Sequence, residues 1–94
     1  MARYQRVRWH HDFDDEPVIL YSEVTDEGIE TRKVDEYRDG RLEYADATRS
    51  IGTTFLSEKV MPSIQEIAKQ AEFQPGEITK EEFEEVWRKA TGEA

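Results

Sequence analysis

From Arg3 the chain alternates. In RYQRVRWHH, residues 3–11, Val7, Trp9 and His11 fall on one side and Arg6, Arg8 and His10 on the other, the period-two pattern of a strand with one buried face. DFDDE breaks the alternation, and Pro17 restarts the chain as extended backbone. PVILYSEV follows with apolar or aromatic side chains on both sides, which predicts a central strand. TDEG, residues 25–28, reads as a turn, IETRKVDEY as a third strand and RLEYADA as a fourth. Asp39-Gly40 between them supplies the positive φ values of a two-residue type I′ hairpin loop. That loop pairs Arg38 with Arg41, Tyr37 with Leu42, Glu36 with Glu43 and Asp35 with Tyr44. One face then carries Tyr37, Leu42 and Tyr44, and the other a solvated lattice in which Glu36 reaches Arg41 and Arg38 reaches Glu43 diagonally. A bulge at the turn would shift the register and undo the lattice.

Helical spacing begins later. Residues 47–61 show no clean period, and Gly52 interrupts them; they read as a loop with one short strand near 53–58. Pro62-Ser63 opens a helix: Ser63-x-x-Glu66 is a capping box, and Ile64, Ile67, Ala68 and Ala71 follow helical spacing until Pro75-Gly76 breaks it. Thr79-x-x-Glu82 is a second box, followed by the stripe Phe83, Val86, Trp87 and Ala90. Glutamates crowd the start of this segment, Arg88 and Lys89 its end, and Gly92 lies just beyond, the charge order that suits a helix dipole. Strands followed by helices predict an α+β fold: an antiparallel four-stranded meander, then two C-terminal amphipathic helices packed on one face, in a single domain over 1–94. The other face is left to solvent or a partner.

Taken together, these motifs resemble a family of short bacterial proteins that carry a domain of unknown function. The resemblance rests on V-x-W-x-H-D-F at Val7 to Phe13, D-E-P-V-x-L-Y-S-E at Asp15 to Glu23, R-K-V at Arg32 to Val34 and Y-R-D-G at Tyr37 to Gly40. It continues through Y-A-D at Tyr44 to Asp46, P-S-x-x-E-I at Pro62 to Ile67 and I-T-x-E-E-F-E-x-V-W at Ile78 to Trp87. It implies no established activity and no catalytic residues.

Size and charge then narrow the function. A chain of 94 residues must spend most of its apolar side chains on a small core, which argues against a large organic substrate. It has no cysteine, hence no disulfide, thiolate site or cysteine nucleophile. The N-terminal MARYQRVRWHH has no apolar run of the signal-peptide kind, and no segment is long and apolar enough to span a bilayer. A cytoplasmic protein is expected. The net charge of −9 opposes nucleic-acid binding. That charge is uneven: Arg3, Arg6 and Arg8 make residues 1–11 basic, and residues 12–30 gather eight acids without a base.

The densest part is HHDFDDEP, residues 10–17. As a metal site it is poor, because adjacent His10 and His11 on a strand point to opposite faces and the loop lacks calcium-loop spacing. His11 with Asp12 or Asp14 is the pairing that a small enzyme or metal-binding protein would use, although no nucleophile motif accompanies it. As a binding surface, Asp12, Asp14, Asp15 and Glu16 can steer a basic protein partner, and Phe13 can anchor it. The leading expectation is a small acidic protein-binding domain, an inhibitor or immunity-type protein that neutralises a basic partner such as a nuclease toxin, with no cofactor. A merely solvated turn accounts for the same residues equally well.

Overall fold

The computed structural model describes residues 2–52 and 54–92. Strands β1 (Arg3–Trp9), β2 (Ile19–Val24), β3 (Glu30–Glu36) and β4 (Leu42–Asp46) form the expected meander. Helix α1 (Ile64–Ala68), strand β5 (Phe73–Ile78) and helix α2 (Lys80–Thr91) follow. The sheet is five-stranded, in the order β4-β3-β2-β1-β5, with every neighbouring pair antiparallel. β2 lies in the middle, as its two apolar sides require. Among the described residues no helix is long and apolar enough to cross a membrane.

Four expectations are corrected. The fold is α+β, but with a fifth strand between the helices. The Ile64 stripe ends at Lys69, and residues 73–78, including Pro75-Gly76, pair with β1. Pro75 is admissible there because β5 is an edge strand, where a missing N–H need not break a ladder on both sides. Second, the helices do not share a face. α2 packs on Tyr4, Tyr21, Val34 and Tyr44, whereas Ile67 of α1 lines a cavity with Gln5 and Val7, which alternate to the opposite face. Third, the β3–β4 register is shifted by one residue. Glu36 pairs with Leu42, Asp35 with Glu43 and Val34 with Tyr44. The amide of Gly40 donates to the Tyr37 carbonyl, that of Tyr37 to the Arg41 carbonyl, and Gly40 has φ +90°. This is a three-residue loop with a left-handed glycine, not the two-residue form. The Glu36/Arg38/Arg41/Glu43 lattice therefore does not form, and Glu43 turns inward. The expected strand near 53–58 is absent among the described residues of that segment, which make irregular cover; Thr53 lies outside the described residues.

The face under α2 is aromatic. Phe83, fully buried, meets Tyr4 at 5.4 Å between ring centroids and stacks with Trp87 at 6.3 Å; Trp87 meets Tyr44 edge-on at 5.4 Å. Burying one such ring contributes about 1.5–3 kcal/mol. α2 is held at both ends: the Thr79 hydroxyl accepts from Glu82 N–H while the Glu82 carboxylate accepts from Thr79 N–H, and Gly92 closes the C-terminus.

One cation joins helix and sheet. Arg32 donates to both Glu23 carboxylate oxygens, at 2.9 and 2.7 Å, and to both of Glu84 on α2, at 3.1 and 2.7 Å. Its guanidinium lies 5.0 Å from the centroid of Phe83 and 5.1 Å from that of Trp87. The hydrogen bonds from Arg32 outweigh burial and hold the Glu23 carboxyl at about 2, against its ordinary 4.5. A carboxylate with a depressed folded pKa adds stability above its unfolded value and loses it as pH falls through the folded one. The urea midpoint of unfolding should therefore fall between pH 4.5 and about 2, and Arg32→Ala should flatten that limb. At neutral pH the variant should lose roughly 2 kcal/mol, between the worth of an exposed pair and a buried one. An acid limb equally steep in the variant contradicts this clamp.

Candidate functional site

The chain between β1 and β2 is held rigidly at its base and bare at its tip. His11 N–Hε2 donates to the Pro17 carbonyl at 2.7 Å, and its Nδ1 accepts from the Phe13 amide at 2.9 Å. Both ring nitrogens are thereby engaged, so in this arrangement the imidazole has no lone pair for an ion or a substrate proton. Trp9 lies against the same ring at 4.3 Å, and Phe13 at 5.2 Å from it. Arg38, from the β3–β4 turn, donates to the His11 carbonyl at 2.9 Å, and the His10 amide donates to Glu72 at 2.8 Å. On this base Asp12, Phe13, Asp14, Asp15 and Glu16 are all exposed, Phe13 to 58%. The five residues singled out from the sequence are thus one contiguous surface at one end of the sheet. His10 points away, to Gln74 at 3.3 Å. No group of three His, Asp or Glu residues suited to a metal is found among the described residues.

A second site was not legible beforehand. The sheet face opposite α2 carries Gln5, Ser22 and Lys33 in one cross-strand row and Val7, Leu20, Asp35 and Glu43 in the next. Residues 54–62 and α1 cover it. Between sheet and cover lie two adjoining chambers that share Leu20, Lys33 and Ser57. The inner one, about 240 Å³, has Gln5, Val7, Ile67 and Phe73 in its wall. The outer one, about 410 Å³, reaches Asp35, Thr54 and Tyr37 and opens beside Asp15 and Glu16 of the acidic loop.

The polar groups in this layer are unevenly matched. Glu30 is well served, accepting from the Ser22 hydroxyl at 2.7 Å and the Ser57 amide at 2.8 Å. Glu43 accepts from the Tyr37 hydroxyl at 2.8 Å, and Gly52 (φ +78°) gives it room, since a Cβ there would strike its carboxyl group. Gln5 Nε2, Asp35 Oδ1 and Thr54 Oγ1 are buried with no well-formed hydrogen bond. Lys33 Nζ stands 3.7 Å from Asp35 Oδ1, an ion pair too long to be a hydrogen bond. Burial pushes the Asp35 carboxyl above the ordinary aspartate value; Lys33 and the nearby Thr54 hydroxyl pull it back, and Glu30 and Glu43 push it further up. The one-residue register shift is what brings Asp35 opposite Glu43, so the sequence pattern read without it hid this layer.

Comparison with known proteins gives a family and no mechanism. Residues 3–92 match the model of a domain of unknown function, DUF6881. No curated protein and no solved structure matches the chain.

The loop's internal support makes a direct prediction. His11→Ala removes the acceptor of the Phe13 amide, so hydrogen exchange at Phe13 should quicken roughly tenfold while Val24 in the sheet stays unchanged. Equal exchange at Phe13 in both proteins would mean that the imidazole does not order the tip.

Proposed function

The chain belongs to this DUF6881 family, which offers no activity to inherit, and we propose from its own surface that it is a protein-binding domain. The Asp12–Glu16 loop is the contact, and a basic protein is the partner. The observation that carries the reading is Phe13: a large apolar ring 58% exposed, held on a hydrogen-bonded base and surrounded by four exposed carboxylates. Fixed negative charge raises the encounter rate with a positive surface and sets register, and an aromatic side chain that enters a pocket supplies most of the lasting affinity. A segment held in shape beforehand loses little entropy on binding. These properties suit an inhibitor or immunity-type protein that covers the positive groove of an enzyme such as a nuclease. We place this role in the bacterial cytoplasm, where a chain without cysteine is indifferent to reducing conditions.

The test is capture of a basic protein from the producing bacterium, followed by kinetics on loop variants. Phe13→Ala should weaken binding at least about tenfold, chiefly through faster dissociation. Neutralising Asp12, Asp14, Asp15 and Glu16 to Asn and Gln should slow association roughly tenfold and abolish most of its dependence on salt. A partner held equally well by both variants would show that the loop is not the contact.

A further inference from the structure

We propose that the inner chamber beneath residues 54–62 is a binding site for a small, uncharged, largely apolar molecule bearing a carbonyl oxygen, such as a carboxamide or lactam. This site lies apart from the Phe13 surface and does not depend on it. Much of the wall is apolar, from Val7, Leu20, Met61, Ile67 and Phe73, with polar groups set among them. Such walls accept an apolar body of modest size. On the floor, Gln5 is 0% exposed, and its Nε2 has no hydrogen-bond partner among the described residues. A buried donor left unpaired costs about 1–3 kcal/mol, which an acceptor from a ligand would recover. Lys33 lines the same chamber and supplies a second donor.

Charge selects among acceptors. Glu30 borders the chamber and accepts two hydrogen bonds that suit its ionised form. Lys33 already faces Asp35. An incoming carboxylate would add a third negative group around one ammonium, and an ammonium ligand would meet Lys33 and the Gln5 N–H groups. A neutral carbonyl meets neither objection. The cover has the means to admit it. Residues 54–62 contain no helix or strand among the described positions, and the edge over the chamber is tied by the Met61 amide to the Gly28 carbonyl at 2.8 Å and by Arg3 to the Pro62 carbonyl at 3.3 Å. Since Gln5 is 0% exposed, an acceptor reaches it only if side chains around the chamber, Met61 among them, give way.

The experiment is an NMR titration of the whole chain, labelled with ¹⁵N and with ¹³C methyl groups, against benzamide, benzoate and benzylamine. Benzamide should bind saturably at roughly millimolar concentration, the range open to a probe of about nine heavy atoms. It should shift the Gln5 side-chain amide, the Met61 amide and the Ile67 methyls. Benzoate and benzylamine should bind at least about tenfold more weakly. Gln5→Met should weaken benzamide at least about tenfold, the effect of losing a hydrogen bond to a buried donor. Because the pattern of shifts is read on the wild-type chain, the result does not hang on how the variant folds. Absence of saturable binding, shifts confined to other surfaces, or a charged probe that binds as well as benzamide would each overturn the proposal. Loss of the Phe13-dependent partner would leave it untouched.

Discussion

The pleat of a β-sheet sends successive side chains to opposite faces, and in this molecule that rule sorts the chain into two unlike interiors. Even-numbered positions of β1, odd-numbered positions of β2 and, past the register shift at Glu23/Val24 that leaves Glu30 on the other side, even-numbered positions of β3 from Arg32 onward go under α2, where Tyr4, Tyr21 and Val34 meet Phe83 and Trp87. Their neighbours go to the other side, where Gln5, Ser22, Lys33, Asp35 and Glu43 are enclosed by an irregular segment. The first interior holds the fold together by apolar contact. The second encloses some groups without a hydrogen bond, Gln5 Nε2 and Asp35 Oδ1 among them, and the fold gains little from those.

Arg32 shows how the two demands are reconciled on the stable side. It is charged, yet it lies on the core face of β3, and its cost of burial is offset by four hydrogen bonds to two carboxylates and by the rings beneath α2. Nothing equivalent serves Asp35 on the other face. Its nearest cation is 3.7 Å away, and its own carboxyl group shifts toward the neutral form. Within the same strand, partly buried Arg32 is fully matched and buried Asp35 is not.

Local rules made much of this visible in the sequence. Alternation through Val7 and Trp9, the apolar run of β2 and the Thr79 capping box all describe interactions within a few residues of each other, and each element stands where they place it. The acidic tip was legible too, since a break in alternation rich in Asp and Glu has nowhere to go but outward. What escaped was set by long-range pairing. Phe73–Ile78 contains Pro-Gly and becomes a strand only because β1 offers an open edge. Asp39-Gly40 fits two hairpin loops, and the choice between them decides whether Glu43 faces water or Asp35. The buried polar layer depends on that choice, and on a cover of residues 54–62 that shows no period at all.

The acidic loop and the chambered face adjoin, since Asp15 and Glu16 line the outer chamber. The chamber reading rests on the claim that Gln5 is retained for what it contacts and not for stability. The most direct test is the unfolding free energy of Gln5→Met in urea. If the unpaired amide is a cost to the fold, replacing it with an apolar chain of similar volume should stabilise the free protein by about 1 kcal/mol. A loss of about that size would show instead that Gln5 supports the fold, and would contradict the account.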